Sequence, residues 1–169
     1  MARTLAAIDC GTNSTRLLIV EQKGQQEYKT LHREAQITRL GEGTDRTLEL
    51  GAEAMDRALA TLIDYAGKIE DHAVSEIKFV ATSAVRDARN KDVFLTAAEE
   101  VTTIKPEILD GLDEAKFTFI GATNNVLSTG PSLVIDIGGG STEFAFGDGK
   151  LEFSHSADIG CVRISERFI

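Results

Sequence analysis

The stretch LVIDIGGGSTEFAFG at residues 133–147 sets the reading of the chain. An apolar run ends in Asp136, three glycines follow, then Ser141-Thr142, Glu143 and a second apolar run. Consecutive glycines strip the turn of Cβ atoms, so the backbone can approach an anion and aim N–H groups at it. A turn centred on Gly139-Gly140 places Asp136 and Glu143 opposite each other on two antiparallel strands, roughly 5 Å apart at Cβ. Like charges so placed repel unless a cation lies between them. The stretch therefore predicts a hairpin whose Gly138, Gly139, Gly140, Ser141 and Thr142 cradle phosphate beside a metal-binding carboxylate pair. An ordinary glycine-rich hairpin with solvated charges is the plain alternative.

The pattern occurs twice. Residues 5–20, LAAIDCGTNSTRLLIV, align Asp9, Gly11, Ser14 and Thr15 with Asp136, Gly138, Ser141 and Thr142 without a gap. An internal repeat reports architecture. Arg16 stands where the second copy has Glu143, so one turn offers a cation and the other a metal site. Two facing copies would clamp a chain of phosphates.

The net charge is −9 with no Lys/Arg cluster, which argues against nucleic acid or an anionic membrane as partner. A polyanion would have to be held by local cations, backbone N–H groups and metal. Cys10 and Cys161 fit no metal-ligand spacing and read as reduced thiols of a cytoplasmic protein. No apolar run approaches the ~18 residues of a membrane span, and no signal-peptide core is expected at the N-terminus.

Working outward, residues 26–37 read as a third strand. Residues 39–51 form a loop with three glycines, either a mobile surface connection or a substrate-side flap carrying Arg39. Met55, Leu59, Leu62, Ala66 and Ile69 mark the buried stripe of a helix over 52–71. A strand over 76–81 ends at Thr82-Ser83, a strand-to-helix junction with free N–H groups, and Arg86 follows one turn later. A helix capped by Asn90 points Val93, Phe94, Ala97 and Val101 inward. A short strand over 106–109 precedes a helix capped by Asp110, with Asp113 in a capping-box-like role. Residues 126–131 read as a linker. The order is βββαβαβα for residues 1–125 and βββα for 132–169, an α/β chain of ribonuclease H-like (actin-like ATPase) class followed by the start of a second, truncated copy.

The blocks AAIDCGTNSTRLLIVE, ITRLGEGTD, FVATSAVRDARNKDVFL, ILDGLDEAKFTFIGA, LVIDIGGGSTEFAFGDG and GCVRISERF resemble the exopolyphosphatase / guanosine pentaphosphate phosphatase family. The resemblance spans nearly the whole chain. It implies hydrolysis of the terminal phosphate of polyphosphate, or of the γ-phosphate of guanosine pentaphosphate, with Mg²⁺. Carried over by motif, Asp136 and Glu143 hold the metal, and Asp9, Gly11, Asn13, Ser14 and Thr15 form the first phosphate loop. Arg86 grips the terminal phosphoryl group, and Glu114 activates water. The family's Ser-Gly-x-Glu-Glu-Ala-Arg reads Asp110-Gly111-Leu112-Asp113-Glu114-Ala115-Lys116 here, a departure that bears on substrate preference. Plainer readings make Glu114 a helix-dipole acid, Arg86 an ion-pair partner of Asp87 and Asp9 the cap of its own turn. A non-hydrolytic phosphate or nucleotide sensor, or an actin-like metabolite kinase, is the functional alternative. The full-length protein is expected to be a homodimer. The chain by itself is expected to turn over little and to self-associate through its exposed second hairpin.

Overall fold

The computed structural model describes residues 3–24, 27–124 and 130–169. In chain order the elements are β1 Arg3–Cys10, β2 Ser14–Gln22, β3 Tyr28–Ile37, α1 Thr44–Thr47, α2 Ala52–Asp71, β4 Glu76–Ala81, α3 Ser83–Asp87, α4 Lys91–Thr102, β5 Glu107–Ile108, α5 Gly111–Thr123, β6 Ser132–Ile137, β7 Thr142–Gly147, β8 Leu151–Ala157 and α6 Cys161–Phe168. Gln26, expected to open the third strand, and all but the last two residues of the expected linker lie outside the described residues.

The first sheet has the order β3-β2-β1-β4-β5. The first three strands form an antiparallel meander, and β4 and β5 add in parallel beside β1. Strand alternation sends Ala6, Ile8 and Cys10 to one face, where Leu17, Ile19, Phe79 and Ala81 join them. Against this face pack Ala58, Leu62, Tyr65 and Ile69 of α2 and Phe94 and Ala98 of α4. The intervening residues Ala7, Asp9 and Val80 emerge on the opposite face, where the cavity described below lies.

The second sheet, β6-β7-β8, is an antiparallel meander. The helix α5, expected to close the first unit, packs on this second sheet. Ala115 and Phe119 bury against Ala145, with Val134 and Leu151 beside them. Its other side is left facing the first sheet, which is how Glu114 and Thr118 come to line the space between the two.

Several local expectations are corrected. The buried stripe of α2 centres on Ala54, Ala58, Leu62, Tyr65 and Ile69. Tyr65 is core because its hydroxyl donates to the Thr15 carbonyl at 2.9 Å, which gives the polar tip a buried partner. Val93 is exposed, and Phe94, Ala98 and Thr102 are the inward residues of α4. Asn90 makes no side-chain cap; its amide clamps Leu50, accepting from the N–H at 2.8 Å and donating to the carbonyl at 3.0 Å. The segment 39–51 is a packed connection with a short helix, burying Leu40, Thr44 and Leu50. Asp110 does cap α5, its side chain accepting from Leu112 N and Asp113 N, and Asp113 supplies one of those amides while its side chain is exposed. Cys10 is buried and Cys161 exposed, both as free thiols. Among the described residues no helix is long and apolar enough to cross a membrane.

Candidate active site

The two glycine turns are built alike. Gly11 N–H donates to Ser14 O at 3.0 Å, and Gly138 N–H donates to Ser141 O at 2.9 Å. The registers match as well: Asp9 opposes Arg16 in the first hairpin, and Asp136 opposes Glu143 in the second. A Cβ at either Gly11 or Gly138 would sit 3.0 Å from the facing carbonyl oxygen, so both positions favour glycine. The turns also touch each other. A Cβ on Gly140 would fall 2.6 Å from Ser83 Oγ and 2.9 Å from Thr12 Oγ1. Those two hydroxyls are buried and bond to each other at 2.7 Å. The second turn is bare of Cβ partly so that the first can press against it.

The α6 helix holds the glycine turn from behind. Its N-terminal amides donate into the turn, Cys161 N–H to Gly138 O at 3.0 Å and Val162 N–H to Gly139 O at 2.9 Å. These bonds satisfy amides that a helix start leaves unpaired. A Cβ on Gly160 would collide with Gly139 O at 2.3 Å.

In front of the turns lies a cavity of about 630 Å³. Asp9, Gly11, Asn13 and Ser14 line it from the first turn, and Asp136, Gly138, Gly139, Ser141 and Glu143 from the second, with Glu114 contributed by α5. Four expected site residues are placed elsewhere. Thr15 is buried, its hydroxyl 3.1 Å from Thr38 Oγ1 and its carbonyl bonded to Tyr65. Thr142 is buried and donates to Ile159 O. Each is the strand neighbour of a cavity-lining serine, and alternation sends it to the opposite face. Gly140 lies against Thr12 and Ser83 and lines a smaller cavity of about 160 Å³ behind the turn. Arg86 stands beside the main cavity: Nη1 donates to Leu109 O at 3.0 Å and to Glu114 Oε2 at 3.3 Å, and Nε lies 3.7 Å from Asp87. Its guanidinium, expected to grip a phosphoryl group or to pair with Asp87, is here bonded to the Glu114 carboxylate as well.

Four carboxyls, Asp9, Glu114, Asp136 and Glu143, line the cavity together with Arg16 and Lys78, and Arg16 pairs with Asp9. Glu143 is 2% exposed and accepts from Ser156 Oγ at 2.7 Å. Asp136 accepts from Thr118 Oγ1 at 3.2 Å. Burial, reinforced by the nearby Glu143 charge, pushes the Glu114 carboxyl up to about 7 against the opposing pull of Arg86. Burial also raises Asp9, opposed by Arg16 and reinforced by Asp136. A carboxyl near 7 is half ionised at neutral pH, the condition a general base requires. Among the described residues no three His, Cys, Asp or Glu side chains are grouped to hold a metal. The opposed pair Asp136 and Glu143 supplies hard oxygen donors in an under-neutralised site. That fits a divalent ion which keeps waters and takes its remaining ligands from phosphate, as Mg²⁺ does.

Several participants carry little signal in the residues. Thr12 and the hydroxyl of Ser83 join the two turns and line the cavity, where the sequence marks only the amides of the Thr82-Ser83 junction. Thr118, one helical turn after Glu114, reaches Asp136; its i+4 spacing was the available signal. Arg163 is bonded to three partners, and its position in the helix after the third strand carried no local signal.

A five-stranded sheet of order β3-β2-β1-β4-β5, followed by a second meander with the same turn, defines a mixed α/β fold of the ribonuclease H-like, actin-like class. The comparisons agree with it and narrow it. Residues 18–169 match the Ppx/GppA phosphatase family, and the chain belongs to that family. It is 43% identical over 172 aligned residues to exopolyphosphatase 2 of Mycobacterium tuberculosis, covering 96% of this chain and 54% of that protein. It is 36% identical to an exopolyphosphatase from Cytophaga hutchinsonii, with a TM-score of 0.93 over 98% of this chain and 54% of that one. The Ppx/GppA family member of Aquifex aeolicus superposes with a TM-score of 0.85 at 29% identity, covering 100% of this chain and 55% of that one. The ethanolamine utilization protein EutJ from Carboxydothermus hydrogenoformans shares the fold alone, at 15% identity and a TM-score of 0.50 over 96% of this chain and 54% of that one. The chain spans about half the length of the exopolyphosphatase it matches.

Proposed function

We propose that this cavity belongs to a phosphoanhydride hydrolase that releases the terminal phosphate of inorganic polyphosphate or the γ-phosphate of guanosine pentaphosphate. The observation that carries the reading is the pair of matched glycine turns facing one cavity with a carboxyl poised near 7 beside them. The exopolyphosphatase relatives support the substrate class.

Hydrolysis of such a bond demands an in-line water and neutralisation of charge on the transferring and leaving groups. Glu114 is the proposed base: it orients a water and accepts its proton at a carboxylate oxygen. Such a group is worth ~10²–10⁴-fold in rate. The Ser14 and Ser141 hydroxyls and the backbone N–H groups of the two turns hold the phosphate chain. Asp136 and Glu143 would hold Mg²⁺, which when bound polarises phosphoryl oxygens and offsets the charge of the polyanion. Arg86 is proposed to exchange its bond to Glu114 for the equatorial phosphoryl oxygens, a task its planar fork suits better than a lysine. That exchange frees Glu114 as the substrate arrives.

The test is phosphate release from polyphosphate and from guanosine pentaphosphate with Mg²⁺, by the full-length protein and by its Glu114→Ala variant. Release that is lost in the variant supports hydrolysis. Polyphosphate binding without turnover in the wild type supports a non-hydrolytic sensor instead.

A further inference from the structure

We infer that Arg163 is a positioning residue for phosphate binding, holding the Gly140–Ser141 peptide so that its N–H faces the cavity. This rests on the phosphate-binding reading given above. The three glycine carbonyls all point away from the cavity, toward α6. Those of Gly138 and Gly139 are held by backbone amides of the helix, which no side-chain substitution removes. The third, Gly140 O, accepts from the Nε–H of Arg163 at 2.8 Å. In a trans peptide the C=O and the following N–H point in opposite directions, and the described chain contains no cis bond. Fixing Gly140 O toward α6 therefore turns Ser141 N–H the other way. The linings agree with that geometry: Gly140 and Arg163 line the rear cavity, whereas Gly139 and Ser141 line the front one.

The guanidinium is itself held in place. Nη1 donates to Asp45 at 2.7 Å and Nη2 to Asp87 at 2.7 Å, and the side chain is only 15% exposed. Its three donors thus reach the second turn, the α1 segment and α3. A glycine turn without such an anchor is free to flip its peptides, and a flipped Gly140 would present a carbonyl oxygen to a polyanion. Lysine offers one point charge on a flexible stem and cannot make the three contacts at once.

The experiment uses tripolyphosphate as probe, titrated into this chain by calorimetry, with the Ser141 amide followed by ¹⁵N correlation NMR. Arg163→Lys and Arg163→Ala are expected to weaken tripolyphosphate binding by about 10–100-fold, the range of one charge-assisted bond. The Ser141 resonance should move with tripolyphosphate in the wild type and stay still in both variants. Asp45→Asn is the control. It removes the negative charge that Arg163 and Arg167 share and one of the two oxygens they bond but leaves the bond to Gly140, so it should bind within about twofold of wild type. Arg163→Lys binding as tightly as wild type overturns the inference. So does an Asp45→Asn loss as large as that of Arg163→Lys, because general undocking of α6 would then be the cause. A wild-type chain that ignores tripolyphosphate altogether removes the phosphate-binding reading and this inference with it, an outcome distinct from the other two.

Discussion

Glu114→Gln should make the chain more stable at alkaline pH while removing its proposed base. In the fold the Glu114 carboxyl is raised from its ordinary 4.5 to about 7, chiefly by burial and then by the Glu143 charge. Between those two values the native state binds a proton that the unfolded chain has released. Stability must therefore fall as pH rises through that interval. At about 1.36 kcal/mol per pH unit, the full interval is worth about 3 kcal/mol, and roughly 2–3 kcal/mol of it is lost between pH 5 and pH 8. Glutamine keeps the shape, can still accept from Arg86, and does not ionise, so the variant escapes this loss. Urea denaturation of both proteins at pH 5 and pH 8 isolates the effect, since every other titrating group is common to the two. The expected result is a stability difference that moves in favour of the variant by roughly 2–3 kcal/mol on going from pH 5 to pH 8. A difference that stays constant between those pH values would refute the claim that the cavity raises this carboxyl above its ordinary range.

Ser14→Ala should weaken tripolyphosphate binding with little change in stability, whereas Thr15→Val should lower stability by about 1–3 kcal/mol, because Thr15 Oγ1 and Thr38 Oγ1 are buried partners. Calorimetric titration and urea melts separate the two effects. Gly160→Ala should cost about 1–3 kcal/mol or more, because its Cβ meets Gly139 O and Gly140 N with no flexible side chain to yield; Gly51→Ala, where a Cβ meets nothing within 4 Å, is the control. Asp136→Asn should reduce the dependence of tripolyphosphate binding on Mg²⁺, read as a shallower change in affinity across a magnesium titration; an unchanged dependence would mean that this carboxylate holds no metal.

The local features were open to inspection in the residues. The 3.6 spacing of apolar side chains placed α2 at 52–71, where it is found. Asp110 announced the start of α5 because a short side-chain oxygen ahead of free amides has one natural use. The gapless alignment of Asp9-x-Gly11 with Asp136-x-Gly138 foretold two like turns, and in the structure both close with a Gly N–H to Ser O bond. All of these rest on interactions within a few residues.

Facing was a different matter. Strand alternation already forbids Ser14 and Thr15 from sharing one side, yet only the packing of α2 beneath the first sheet determines that Thr15 is the buried one. Nothing local says that α5 leaves the sheet it follows and lies on the next, although that crossing is what brings Glu114 into the cavity. Arg86 and Arg163 have similar credentials as isolated arginines, and their roles separate only because one finds Glu114 and the other finds Gly140 O. Hydrogen-bond partners distant in sequence are chosen by how whole elements stack, and that choice belongs to the assembled core, which no short window of residues contains.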